Sequence, residues 1–230
     1  DCHLGSEFCN HQKLLELLSN IECEYLYIVG DFIDGWALSR KFRWNSNYNT
    51  ILQKILRMSR KGCKVIYVWG NHDDFVESFN DVYFGDNVHI VRETCHITLQ
   101  NEKILIIHGD QFDGIVTTNK WIQKIGAIIY DYALMVNKLF RLKKYSLSNF
   151  LKQKAKEAVK YIANYEQTVV NYCKQNNYNA ILCGHIHKPE SITIDNIQYL
   201  NTGDWIDNNS FIIETVDGNI ELHKYEDFSK

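Results

Sequence analysis

Four short apolar runs in this chain stop at the same kind of boundary. YLYIV at 25–29, KVIYVW at 64–69, ILII at 104–107 and AILC at 180–183 are each followed at once by a glycine or histidine and then by acidic, amide or imidazole side chains. Runs of that length with little polar alternation are what strands buried on both faces require. In open α/β folds, ligands bind beyond the carboxyl ends of such strands, so polar groups far apart in sequence can converge there. The four boundaries therefore point to an α/β architecture whose chemistry lies at one end of its sheets.

The intervening sequence supplies the other layers. Apolar spacing predicts helices over 11–20 and 50–60, and further strands at 88–91, 95–99, 191–194, 197–201, 210–215 and 219–224. From about 117 to 176 strand punctuation disappears, and two long helical stretches are expected. Alternating strands and helices, then a helical block, then a β-rich end suggest a layered α/β sandwich with a helical insertion. At 230 residues, with a single proline and no linker or repeat, the chain reads as one domain carrying an insertion at about 115–176.

Composition excludes some functions. A net charge of −3 argues against a general nucleic-acid coating protein. No stretch is long enough for a transmembrane helix, and no signal-peptide pattern is present. The seven cysteines form no C-x-x-C pair or zinc-ribbon spacing; their odd number, and the apolar runs around several, suit reduced thiols and a cytoplasmic setting.

The strand-end groups are DCHLG with Asp1 and His3, VGDFIDGW with Asp31 and Asp34, WGNHDD with Asn71, His72 and Asp73, IHGDQFD with His108 and Asp110, and CGHIH with His185 and His187. Each has an ordinary reading, since G-D is a common turn and Asn-His a common helix cap. In GHIH, however, two histidines one residue apart on extended backbone can point the same way, which suits metal binding. Five such groups in order are a far stronger signal than any one.

Together they resemble the calcineurin-like metallophosphoesterases, with D-x-H, G-D, G-N-H-D, a histidine before G-D, and G-H-x-H. SLSNFLKQKAKEAV, CGHIHKPE and NTGDW look in addition like the bacterial UDP-2,3-diacylglucosamine pyrophosphatase (hydrolase) group of that superfamily. The resemblance implies an αββα sandwich with an inserted helical cap. It implies two divalent metal ions, one held by Asp1, His3, Asp31 and His187, the other by Asp31, Asn71, His108 and His185. A bridging carboxylate at Asp31 can serve two cations roughly 3.5–4 Å apart. Nitrogen and oxygen donors without cysteine favour manganese, with iron or zinc as alternatives. His72 resembles the superfamily's histidine that contacts phosphate and helps the leaving group depart; Asp73 is expected to orient it, and Asp34 to orient a ligand histidine. At position 72 the chain departs from the lipid-A enzymes, which carry arginine after the metal-binding asparagine, and follows the broader superfamily.

The helical block bears on substrate. Lys138, Arg141, Lys143, Lys144, Lys152, Lys154, Lys156 and Lys160 stand against one acid, Glu157, between 138 and 160. A solvated face is the usual meaning of such a run. Lys152, Lys156 and Lys160 nevertheless share one helix side, and Lys152 and Lys156 are candidates for holding a diphosphate. An apolar stretch precedes them at 115–142, from Trp121 to Phe140. A basic edge beside apolar helix suits an acylated phosphosugar, or the membrane surface that holds it. The expected reaction is hydrolysis of a nucleotide-diphospho-sugar lipid in lipid A biosynthesis, UDP-2,3-diacylglucosamine giving UMP and 2,3-diacylglucosamine 1-phosphate. The expected location is the cytoplasm, peripherally on the inner face of its membrane. The alternatives are a soluble phosphodiesterase or phosphatase of other substrate, or a non-catalytic scaffold that retains the fold.

Overall fold

Period-two alternation in the first two strands builds two interfaces at once. In β1 (Tyr25–Val29), Leu26 and Ile28 turn to one side while Tyr27 and Val29 turn to the other. In β2 (Lys64–Val68), Val65 and Tyr67 repeat the first direction, and Ile66 and Val68 the second. The computed structural model describes residues 1–116 and 144–228, apart from the side chains of 144–155. The chain divides into two compact units, Asp1–Asp110 with Tyr172–Lys230, and Gln111–Asn171.

In the first unit, β1 and β2 run parallel with β4 (Val88–Val91), and the three-residue β3 (Val82–Phe84) lies antiparallel at the edge beside β4. The second sheet has the order β5 (Glu93–Ile97), β6 (Lys103–Ile107), β7 (Ala180–Cys183), β9 (Ile197–Asn201), β8 (Glu190–Ile194). Its three central strands are parallel and its two edges antiparallel. A separate hairpin pairs β10 (Ser210–Glu214) with β11 (Ile220–Lys224). Both main sheets are thus mixed.

Val29, Ile66, Val68 and Val91 of the first sheet meet Ile104, Ile106, Ala180, Leu182 and Leu200 of the second, forming the interior between them. The other side of the first sheet is covered by α1 (His11–Asn20) through Leu14, Leu17 and Leu18, and by α3 (Ser46–Arg60) through Tyr48, Ile51, Ile55 and Met58. Those spacings of three and four place each set on one helix face, and each buried aliphatic side chain contributes about 1.5–3 kcal/mol. Between them, α2 (Gly35–Arg40) is a short helix with no sequence expectation behind it, started by the Asp34 carboxylate accepting from the Ala37 amide at 2.8 Å.

Helix α3 begins at Ser46 and not at 50. Asn45 caps it by accepting from the Asn47 amide at 2.9 Å, and Tyr48 in the polar stretch SNYNT is buried, which extends the apolar stripe back by one turn. In the second unit a helix runs without interruption over Lys144–Gln175, its last four residues belonging to the first unit. The apolar segment from Trp121 to Phe140 lies outside the described residues, as do Lys138, Arg141, Lys143 and the side chains of Lys144, Lys152 and Lys154. Among the described residues, no helix is long and apolar enough to cross a membrane.

Candidate metal centre

The carboxyl ends of β1, β2, β6 and β7 deliver their loops to one place. The first residues of the chain join them by lying along the loop after β1. Cys2 and His3 donate their amides to the Asp31 carbonyl at 3.0 and 2.8 Å, Leu4 donates to Phe32 at 2.8 Å, and Asp34 donates back to Leu4 at 2.9 Å. The Trp205 amide fixes the Asp1 carbonyl at 2.9 Å. Asp1 and His3 are thereby carried to the strand ends that bear Asp31, Asn71, His108, His185 and His187.

The donor atoms gather in overlapping groups, each within 4.8 Å: Asp1, His3 and His187; His3, Asp31 and His72; Asp1, Asp31 and His108. The facing ring nitrogens of His3 and His187 are 3.2 Å apart. Two nitrogens bound tetrahedrally to one ion at about 2.0–2.1 Å would lie about 3.3–3.4 Å apart. His108 Nε2 is 3.2 Å from Asn71 Oδ1 and 3.4 Å from Asp31 Oδ2, and its ring lies edge-on to His185, with centroids 5.1 Å apart. Asp1 Oδ2 accepts the His185 amide at 2.8 Å, while Asp1 Oδ1 and His108 Nδ1 are both buried with no hydrogen-bond partner. A buried carboxylate oxygen without a donor is costly unless a cation occupies the space it faces. The residues present fit a metal centre on that observation.

Close backbone approach makes this density of side chains possible. A Cβ on Gly70 would stand 2.4 Å from Asp31 Oδ1 and 2.6 Å from the His108 ring, and one on Gly184 would stand 2.2 Å from Asp1 Oδ2. His3, Asp31, His185 and His187 all adopt left-handed backbone, with φ of 53°, 45°, 65° and 52°. For residues with a side chain, such conformations cost of order 1–3 kcal/mol each and persist where surrounding contacts impose them.

Charge and burial set the protonation states. Burial alone would raise the Asp31 carboxyl, yet His108, His72 and His3 around it hold it well below the usual carboxylate range. Asp34 is held low in the same way, against burial, by its hydrogen bonds to His3 and His72. Burial, and then the neighbouring His3, pushes His187 down to about 3, so its ring is neutral and keeps the lone pair that a metal ligand needs. Burial opposes a charge on His72, but Asp34 and Asp31 outweigh it and raise its pKa.

Asp34 has two partners where one was expected. Its oxygens lie 3.2 Å from His3 Nδ1 and 3.0 Å from His72 Nδ1, fixing both rings. Trp36 stacks on the other side of His72 at 4.1 Å. Asp73 does not orient His72. Its carboxylate is fully buried and accepts from the Phe32 amide at 2.8 Å, the Gly70 amide at 2.5 Å and the Tyr67 hydroxyl. Those interior donors outcompete a ring that Asp34 already holds.

Asp204 was missed as a contributor. It lies 3.7 Å from His187 Nδ1 through Oδ2 and accepts the amides of Ile206, Asp207 and Asn208, while Asn208 donates its side chain to the His187 carbonyl at 2.9 Å. The signal was present, for TGD after β9 repeats the GD boundary that follows β1. Lys152 and Lys156 lie in the second unit on the long helix, where Lys156 is exposed.

A family model described as calcineurin-like phosphoesterase matches residues 1–189. The chain belongs to that family. As a calcineurin-like phosphoesterase it is a metal-dependent hydrolase of phosphoesters, and its buried His/Asp cluster is of the family's dinuclear type. The UDP-2,3-diacylglucosamine hydrolase of Aliivibrio fischeri is 27% identical over 221 residues, covering 90% of this chain and 87% of that one. The protein of the same name from Proteus mirabilis is 26% identical over 184 residues, covering 76% and 73%. Among solved structures, the E. coli phosphoesterase Yfce is 15% identical with a TM-score of 0.43, covering 97% of this phosphoesterase and 96% of that chain.

Proposed function

We propose that this phosphoesterase hydrolyses the diphosphate of a nucleotide-diphospho-sugar lipid, with UDP-2,3-diacylglucosamine as substrate and UMP and 2,3-diacylglucosamine 1-phosphate as products. The observation that carries the hydrolytic reading is the buried, unpartnered Asp1 Oδ1 within a cluster of imidazole and carboxylate side chains. The substrate rests on the names of the relatives from Aliivibrio fischeri and Proteus mirabilis.

In this reading Asp1, His3, Asp31 and His187 hold one divalent ion, and Asp31, Asn71, His108 and His185 hold the other, with manganese first and iron or zinc as alternatives. Two bound ions supply polarisation of a phosphoryl oxygen and a water whose pKa falls to about 7. The protein residues do the rest. Asp31 spans both sets of donors. Asp34 fixes the His3 ring by its outer nitrogen, as second partners of metal-binding histidines do, and Asp204 stands 3.7 Å from the outer nitrogen of His187. His72, anchored through Nδ1 and carrying the proton that Asp34 favours, presents Nε2 to the phosphate and to the departing oxygen.

Selectivity has to come from outside this centre. Lys156, Val159, Lys160 and Ala163 border an open, largely apolar depression of about 350 Å³ on the long helix. We assign diphosphate contact to Lys152 and Lys156, and acyl contact to this helical unit. A diacylated substrate places the work at a membrane surface, here the inner face of the cytoplasmic membrane. His72, standing where the lipid-A enzymes have arginine, favours a second reading: phosphodiester or phosphomonoester hydrolysis on another substrate.

Turnover of the manganese-loaded protein on UDP-2,3-diacylglucosamine, UDP-glucose and an aryl phosphodiester separates the two. The expected result is strong preference for the lipid, lost on neutralising Lys152 and Lys156 while aryl phosphodiester hydrolysis persists. Equal losses on both substrates would remove the lysines from substrate binding and favour the second reading.

A further inference from the structure

Arg92 stands one residue beyond β4 and grips two loops at once. Its guanidinium donates to the Trp69 carbonyl at 2.8 Å and to Asp110 Oδ1 at 2.6 Å, and lies 4.2 Å above the Trp69 ring. Trp69 opens the loop that carries Asn71. Asp110 is two residues past His108. The first of these loops leaves the first sheet and the second leaves the second sheet, so one planar cation ties the two sheets together beside the cluster. Only Arg has donors in a fork wide enough to hold a carbonyl and a carboxylate together, and its stacking on Trp69 fixes the plane of that fork.

The geometry points to Arg92, with Asp110 as its partner, as the positioning pair that sets the separation of Asn71 and His108, and through it the affinity of one of the two metal sites and not the other. The inference rests on the proposed ligand sets. Asn71 Oδ1 and His108 Nε2 stand 3.2 Å apart at the point where the two loops meet. Coordination tolerates displacements of only about 0.2 Å. Of the other set, Asp1, His3 and His187 are held by separate contacts, namely the Asp31 carbonyl, the Trp205 amide, the Asp34 carboxylate and the Asn208 side chain on the His187 carbonyl, while Asp31, common to both sets, keeps its backbone contacts with Cys2 and His3. Releasing Arg92 leaves those contacts intact.

The test is calorimetric titration of manganese into the metal-free protein, with bound metal counted after gel filtration. Wild type should take up two ions, and His108→Ala should lose one; together these establish the ligand sets independently of Arg92. Arg92→Ala and Asp110→Asn should each weaken one of the two sites at least about 10-fold and leave the other within about 2-fold. Arg92→Lys, which keeps the charge but not the fork, should recover part of the loss. The double variant Arg92→Ala/Asp110→Asn should be no worse than the poorer single one. Far-ultraviolet circular dichroism and the melting temperature of the metal-free variants monitor the fold. If His108→Ala loses an ion while both affinities survive in Arg92→Ala, or if both sites weaken equally, the positioning role is overturned and the ligand sets stand. If wild type itself takes up one ion or none, the ligand sets fail first.

Discussion

Replacing Gly184 by alanine tests the closeness of the cluster directly. The new Cβ would lie 2.2 Å from Asp1 Oδ2 and 3.1 Å from the Val29 carbonyl, whereas real contacts of this kind do not fall below 3.0 Å. The Asp1 carboxylate must therefore retreat by at least about 0.8 Å, four times the roughly 0.2 Å that coordination tolerates. It cannot retreat freely, because its backbone is pinned by Trp205 and its other contact is the His185 amide. Overpacking of this kind costs about 1–3 kcal/mol, which at this chain length lowers the melting temperature of the metal-free protein by about 2–12 °C. The larger effect should fall on metal. Removing even an outer partner of a ligand costs 10–100-fold in affinity, so displacing Asp1 itself should cost at least about 100-fold at one site. Metal content after gel filtration, measured with calorimetric titration of the metal-free variant, reads both numbers. Gly114→Ala, where a Cβ meets no atom of the described residues within 4 Å, is the control and should change neither. Undiminished metal affinity in Gly184→Ala would refute the assignment of Asp1 to the centre.

Three further outcomes are expected. His72→Ala should keep both ions and lower turnover by about 100-fold or more, while His108→Ala should lose metal along with activity; metal analysis beside steady-state kinetics would expose a reversal of the two roles. Asp34→Ala frees His3 and His72 together, so metal affinity should fall about 10–100-fold and turnover should remain depressed at saturating manganese; full recovery at high metal would mean that His72 needs no anchor. Stripping both ions with a chelator should lower the melting temperature by about 11–22 °C relative to protein in manganese at 100 times each dissociation constant, since such binding stabilises by about 2.7 kcal/mol per ion, about 5.4 kcal/mol for two. An unchanged scanning-calorimetry trace would argue against ions at the orphaned atoms.

The parts of the molecule legible in sequence are those with strong local causes. β1, β4, β7 and β9 begin and end where their apolar runs do, and α1 is bounded as its leucine spacing requires. Of the proposed ligands, Asp31, Asn71, His108, His185 and His187 stand out because they closely follow the apolar runs of β1, β2, β6 and β7. What escaped depends on partners distant in sequence. Asp34 serves two histidines, 31 and 38 residues away, and nothing in FIDGW announces the second. Arg92 gives no signal, being a lone cation between two strands whose role comes from Trp69 and Asp110. Asp73 looked like a partner for the adjacent histidine, but adjacency in a loop does not fix direction, and the buried amides of Phe32 and Gly70 claimed it. The edge strand β3 has three exposed side chains and so no burial pattern to read.

Because Asp31 and Asn71 follow strands of one sheet while His108, His185 and His187 follow strands of the other, the distance between the sheets is also a bond length in the making. The interior residues that set it, Val68 and Val91 against Ile106 and Leu182, are then selected twice. A chain can tolerate a methylene more or less for stability alone and still fail to close a coordination shell. Variation in that interior should be sieved more finely than in the layer beneath α1 and α3. By reciprocity, ion affinity becomes a gauge of how the two sheets sit: any substitution that alters their docking, however remote from the histidines, should register in a metal titration before it registers in a melting curve.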